Sequence, residues 1–212
     1  MIMFIQVIQG PVADEAGLRA AFDSWPRELG PGAEGWLGST GGVTDDGQFI
    51  MLAQFDSPEA AAHNSQRPEQ GEWWSRAASM FAGDVTFHDC ADAYSFAARG
   101  MTEEKAPGFV QVMQGTVTNP DRMRELTAQF AAGLGEYRPD ILGGMVGVDG
   151  GEHTMAAHFT EAVSFTNERE ARVGEGTPPP PKLRALIEAE QGIMDDITYY
   201  DLRHPWVMMP SH

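Results

Sequence analysis

Phe4-Ile5-Gln6-Val7-Ile8-Gln9-Gly10-Pro11-Val12 returns 105 residues later as Phe109-Val110-Gln111-Val112-Met113-Gln114-Gly115-Thr116-Val117, with no gap and six of nine residues identical. A repeat of this length decides the fold before any other feature is read. Leu37-Gly38 and Leu142-Gly143 keep the same spacing. Further on, Phe55 matches Phe159, and Asp84-Val85-Thr86-Phe87-His88-Asp89 matches Asp196-Ile197-Thr198-Tyr199-Tyr200-Asp201. Four blocks in one order make the chain a tandem duplication. Residues 1–97 are the first copy, 98–107 a polar Gly/Pro-containing linker, 108–207 the second copy and 208–212 a tail.

Each copy carries the same element pattern. Residues 3–10 and 108–115 are β-rich runs that stop at a glycine. Leu18, Phe22 and Trp25, and then Met123, Leu126, Phe130 and Leu134, fall at helical spacing and give each following segment one apolar face. Asp14 and Asn119 are placed to cap these helices. Trp36–Val43 and Phe49–Phe55 read as a hairpin through Asp45-Asp46-Gly47, and Ile141–Val148 and His153–Phe159 as another through Asp149-Gly150-Gly151. A helix starts at Ser57-Pro58, breaks at Arg67-Pro68, resumes through Trp73 and Ala77, and gives way after Gly83 to a strand over 84–90. In the second copy Gly174 to Pro181 cannot be helix interior, and the helix restarts at Lys182 with Leu183, Leu186 and Ile187 inward. The order is β-α-β-β-α-β, twice: an α+β fold of two ferredoxin-like units. Both faces of Phe49–Phe55 are mostly apolar, so the two sheets are expected to close on each other.

Composition bounds the partners. With 212 residues, 31 acidic against 14 basic, and a net charge of -17, the chain lacks the cationic surface that phosphate backbones demand, so no nucleic-acid partner is expected. The same charge repels anionic lipid, no apolar run is long enough to span a bilayer, and the first residues lack a basic leader, so a cytoplasmic protein with no membrane partner is expected. A single cysteine, Cys90, excludes an internal disulfide and any multi-cysteine metal site. No metal and no cofactor are expected: there is no phosphate-binding glycine loop, and His153 and His158 point to opposite faces of one strand.

The repeat, the element order and joints such as Gln54-Phe55-Asp56-Ser57-Pro58-Glu59-Ala60-Ala61 leading to His63-Asn64 resemble the dimeric α/β-barrel superfamily, the group of antibiotic-biosynthesis-monooxygenase-like domains, with two copies fused into an intramolecular pseudo-dimer. Arg67-Pro68-Glu69-Gln70 with Trp73-Trp74, and the ending Asp201-Leu202-Arg203-His204-Pro205-Trp206, are similar to a tandem actinobacterial subfamily of unknown function. The resemblance implies a pocket between each sheet and its helices. It also implies a range of activities: cofactor-independent oxygenation of aromatic compounds, isomerase or lyase chemistry, haem degradation, or ligand binding alone. The fold does not choose among them.

Candidate site residues are polar or aromatic groups where burial demands a partner. Gln6 and Gln111 recur mid-strand in both copies, which suits either a substrate contact or an amide that ties the architecture together. The asymmetric positions are sharper. Where the first copy has Gln54 the second has His158, and where the first has His88 the second has Tyr200. His158 and His88 are the candidate catalytic bases, because imidazole titrates near neutrality and can take a proton from a phenol or enol; a packed structural histidine is the alternative for each. The third cluster, His63, Asn64, Arg67, Glu69, Trp73 and Trp74, has no tryptophan in its counterpart around Asn167 and Arg169. An aromatic wall beside a guanidinium suits a planar, partly anionic ligand, while core packing of one tryptophan and pairing of Arg67 with Glu69 is the architectural reading. The expected substrate-binding set is Gln6, Gln111, Gln54, Asn64, Arg67, Trp73, Trp74 and Tyr200.

Two functions follow: a monooxygenase-like or isomerase-like enzyme acting without a cofactor on a small hydrophobic or aromatic molecule, or a non-catalytic binding or scaffold protein for such a molecule. Haem binding or degradation is a weaker third reading, since the first strand carries glutamines where an asparagine is wanted. The exposed sheet edges and the Trp206-Val207-Met208-Met209 tail are also compatible with a homodimer of pseudo-dimers.

Overall fold

The computed structural model describes residues 3–97, 107–137, 140–160 and 180–210. It divides into two compact units: Met1–Tyr94 with His204–His212, and Ser95–Arg203. The expected linker up to residue 106, the prolines up to 179, Asn167, Arg169 and the side chain of Leu134 lie outside the described residues.

The first unit holds β1 (Met3–Pro11), α1 (Glu15–Glu28), β2 (Trp36–Val43), β3 (Gln48–Phe55), α2 (Pro58–Gln66), α3 (Pro68–Ala78) and the start of β4 (Thr86–Ala97). Local signals set these boundaries. Asp14 accepts from the Gly17 amide and Ser57 from the Ala60 amide, satisfying donors that open helices leave free. Arg67 is extended, at φ -68 and ψ 130, because Pro68 follows it, and this residue separates α2 from α3. The strands run antiparallel in the order β4-β1-β3-β2, and a short strand β9 (Trp206–Met208) covers the edge of β2. Leu18, Phe22 and Trp25 pack α1 against one sheet face, as their spacing predicts.

The second unit repeats the plan with β5 (Phe109–Val117), α4 (Pro120–Tyr137), β6 (Ile141–Asp149), β7 (Glu152–Phe159), α5 (Pro181–Gln191) and β8 (Met194–Leu202). Its order is β8-β5-β7-β6, and the last residues of β4 lie beside β6.

Two boundaries differ from expectation. The strand expected over 84–90 runs from Thr86 to Ala97. Beyond Cys90 its residues are mainly small or polar, so no apolar run marks the extension; backbone pairing makes it, as between Met3 and Ala93. The segment read as the end of the second copy and the tail pairs with β2 of the first unit: Trp206 and Met208 are buried in that unit's core, while Met209 stays exposed.

The repeated Leu-Gly pair has a structural cause. Gly38 and Gly143 interrupt the register of β2 and β6, at φ 139 and 144, a region that favours glycine. A Cβ at Gly38 would stand 3.0 Å from the Met208 carbonyl, and one at Gly143 would collide with the Phe96 carbonyl. Each glycine admits the strand end that completes its sheet.

Candidate functional site

Alternation along the strands of the first unit puts Gln6, Ile8, Met51, Ala53, Phe55 and Phe87 on the face covered by helices. Between that face and α1, α2 and α3 lies a cavity of about 320 Å³. Four of the chain's five tryptophans line it: Trp25, Trp36, Trp73 and Trp74. Trp73 is buried and meets Phe22 edge-on with ring centres 5.1 Å apart, while Trp74 is half-buried and packs on Phe87 at 5.0 Å. Both neighbours in sequence therefore reach the cavity, one from the core and one from its margin.

Three amides line the same space, and their neighbours fix which way each one faces. Gln6 donates one N–H of Nε2 to Asp89 Oδ1 at 2.9 Å, which orients the amide and leaves its oxygen as an acceptor. Asn64 Oδ1 accepts from Arg67 Nη1 at 2.9 Å, which turns the Asn64 NH2 group away from the guanidinium. Gln70 Oε1 accepts from Trp25 Nε1 at 2.8 Å, leaving Gln70 Nε2 as a donor. The cavity thus offers an acceptor at Gln6 and donors at Asn64 and Gln70 within aromatic walls. Arg67 does not line it. Its guanidinium is held by Glu69 at 3.0 Å and by the Leu29 carbonyl at 3.2 Å, so it positions Asn64.

The other candidates sit elsewhere. Gln54 neighbours Ala53 and Phe55 on β3 and so occupies the opposite sheet face. His88 pairs with Val7 between Phe87 and Asp89 and shares that opposite face. His158 pairs with Val110 and Gly143 in the second unit, on the face away from Ala157 and Phe159, and Tyr200, paired with Val112, lies on that face too. Neither histidine lines the first unit's cavity or the smaller one in the second unit. Burial without a partner at Nε2 lowers the His158 pKa to about 4, so its imidazole is neutral at physiological pH. Gln111 repeats the Gln6 arrangement, donating to Asp201 Oδ1 at 2.6 Å, and lines a smaller cavity of about 140 Å³ in the second unit. No group of metal-ligating side chains occurs among the described residues.

Solved structures share this architecture along the whole chain. A candidate monooxygenase from Lactobacillus acidophilus superposes with a TM-score of 0.70 at 12% identity, covering 98% of this chain and 99% of that one. A second, from Fusobacterium nucleatum, gives 0.66 at 11% identity over 99% and 93%. An anthrone oxidase-like protein gives 0.60 at 11% over 98% and 94%. The chain shares the fold of these monooxygenase-like structures. No family model matches the sequence, and no curated protein is similar to it in sequence. At these identities the likeness speaks for architecture, and the chemistry has to come from the cavity itself.

Sequence reasoning missed Trp25, Trp36 and Gln70 as cavity residues. Trp25 was legible only as a core position at helical spacing, and nothing local in the sequence announces that its indole N–H orients Gln70 45 residues away.

Proposed function

We propose that the first unit binds a planar, hydrophobic small molecule carrying at least one hydroxyl or carbonyl group. The observation behind this reading is the tryptophan-lined cavity with its oriented amides. Flat rings supply stacking area, and a ligand hydroxyl and carbonyl would meet the Gln6 oxygen and the Asn64 and Gln70 donors. The experiment is a titration with hydroxyanthraquinones and naphthols of graded size, followed by tryptophan fluorescence. All five tryptophans belong to the first unit, so the signal reports on that unit alone. Saturable quenching that weakens in Trp74→Ala and Asn64→Leu supports the reading; no saturable binding, or binding indifferent to both changes, refutes it.

A second reading is cofactor-independent oxygenation. It is favoured by the Asp89 carboxylate held by the cavity residue Gln6, which places a proton acceptor beside the site that neither histidine supplies. An anthrone would lose a ring-methylene proton toward Asp89, its carbanion would react with dioxygen, and loss of water would leave the anthraquinone: one oxygen atom enters the product and the other leaves as water. Oxygen uptake with an anthrone, compared between the native chain and Asp89→Asn, tests it. Equal uptake in both ends the oxygenase reading and leaves the binding site standing.

A further inference from the structure

The cavity of the second unit has a chemistry of its own. The loops that follow α3 and α5 fix the correspondence between them: Ala13 N–H donates to the Met80 carbonyl and, 105 residues on, Thr118 N–H donates to the Ile193 carbonyl, each at 2.9 Å. Three residues before these carbonyls stand Ala77 and Glu190. Ala77 is fully buried against the first unit's core. At the same place the second unit inserts a carboxylic acid into a cavity walled by Phe96, Phe130, Met113 and Met155.

The polar groups facing this space present acceptors. Gln111 gives one of its two amide N–H groups to Asp201 and offers its carbonyl, and Thr127 gives its hydroxyl proton to the Met123 carbonyl. Among the described residues no cation or hydrogen-bond donor contacts the Glu190 side chain, and no lysine, arginine or histidine lines the cavity. A carboxylate left without a partner among rings and thioethers is costly, and desolvation raises its pKa to about 7. A ligand that brings a positive charge and N–H donors removes that cost, and aromatic walls add to the attraction.

We propose that the second unit's cavity is a binding site for a small organic ammonium ion, with Glu190 as its counter-ion and Gln111 as a hydrogen-bond acceptor. The site stands apart from the aromatic-ligand site of the first unit in residues and in ligand class, so either can fail without the other. Benzylammonium and its uncharged analogue benzyl alcohol serve as probes, titrated by calorimetry near pH 8 into the full chain and into Glu190→Gln and Glu190→Ala. Glu190→Gln keeps the shape, and Glu190→Ala installs the first unit's residue, so folding of at least one is expected and is checked by circular dichroism. The expected result is binding of benzylammonium that falls about tenfold or more in both variants, with benzyl alcohol binding weakly throughout. Absence of benzylammonium binding, equal binding in the variants, or equal affinity for the alcohol overturns the proposal.

Discussion

Gln6 on β1 donates its side-chain amide to the carboxylate of Asp89 on β4, across the strand pair that brings the two residues opposite each other. Gln111 and Asp201 repeat the bond in the second unit. Asp89 is exposed, so the bond contributes little to stability, and its effect is to aim the Gln6 oxygen. Gln6→Leu is therefore expected to change unfolding free energy by no more than about 1 kcal/mol while weakening ligands that donate a hydroxyl. Urea denaturation and fluorescence titration read the two effects separately.

Trp73 and Trp74 should separate in the same measurements. Trp73 is buried in the aromatic cluster with Phe22, and truncation to alanine is expected to cost about 3–5 kcal/mol. Trp74 packs on Phe87 at the cavity margin, and its truncation should cost clearly less while still weakening a planar ligand.

Arg67 holds Glu69, Asn64 and the Leu29 carbonyl with one planar group, a geometry an ammonium cannot reproduce. Arg67→Lys is expected to lose about 1–3 kcal/mol of stability and to reduce ligand affinity through a freed Asn64. Unchanged affinity would show that the orientation of Asn64 does not matter for binding.

Two buried groups give stability opposite pH dependences. His158 titrates at about 4 in the folded chain, below its ordinary 6.5, so the unfolded chain takes up a proton first and stability falls as pH drops from about 6.5 to 4. Glu190 titrates at about 7 against an ordinary 4.5, so the folded chain keeps its proton longer and stability falls as pH rises from about 4.5 through 7. His158→Gln, the first unit's residue at this position, should flatten the acid side. Glu190→Gln should raise stability at pH 8 by about 1–3 kcal/mol. Thermal melts across this range check both signs.

Much of the architecture was legible because the repeat doubles each local signal. Asp14, Ser57 and Asn119 cap helices where expected, and Leu18, Phe22 and Trp25 face inward. The site was less legible. Residue type drew attention to His158 and His88, but facing is set by strand parity, and parity puts them opposite the residues that line the cavities. Glu190 did carry a signal: it lies seven residues after the buried Leu183 on one helix face, a charged residue where the spacing wants an apolar one. The extension of β4 and the strand at Trp206 had none, because long-range pairing and not local pattern makes them.

The placement of Trp206 and Met208 bears on synthesis. The first unit's β2 edge is covered by residues that follow the second unit's last strand in the chain, so during translation that edge stays unpaired until the ribosome has passed residue 208. The interval is open to wrong pairing with another nascent chain, and a nascent chain stalled between the two copies would expose a ready template for aggregation.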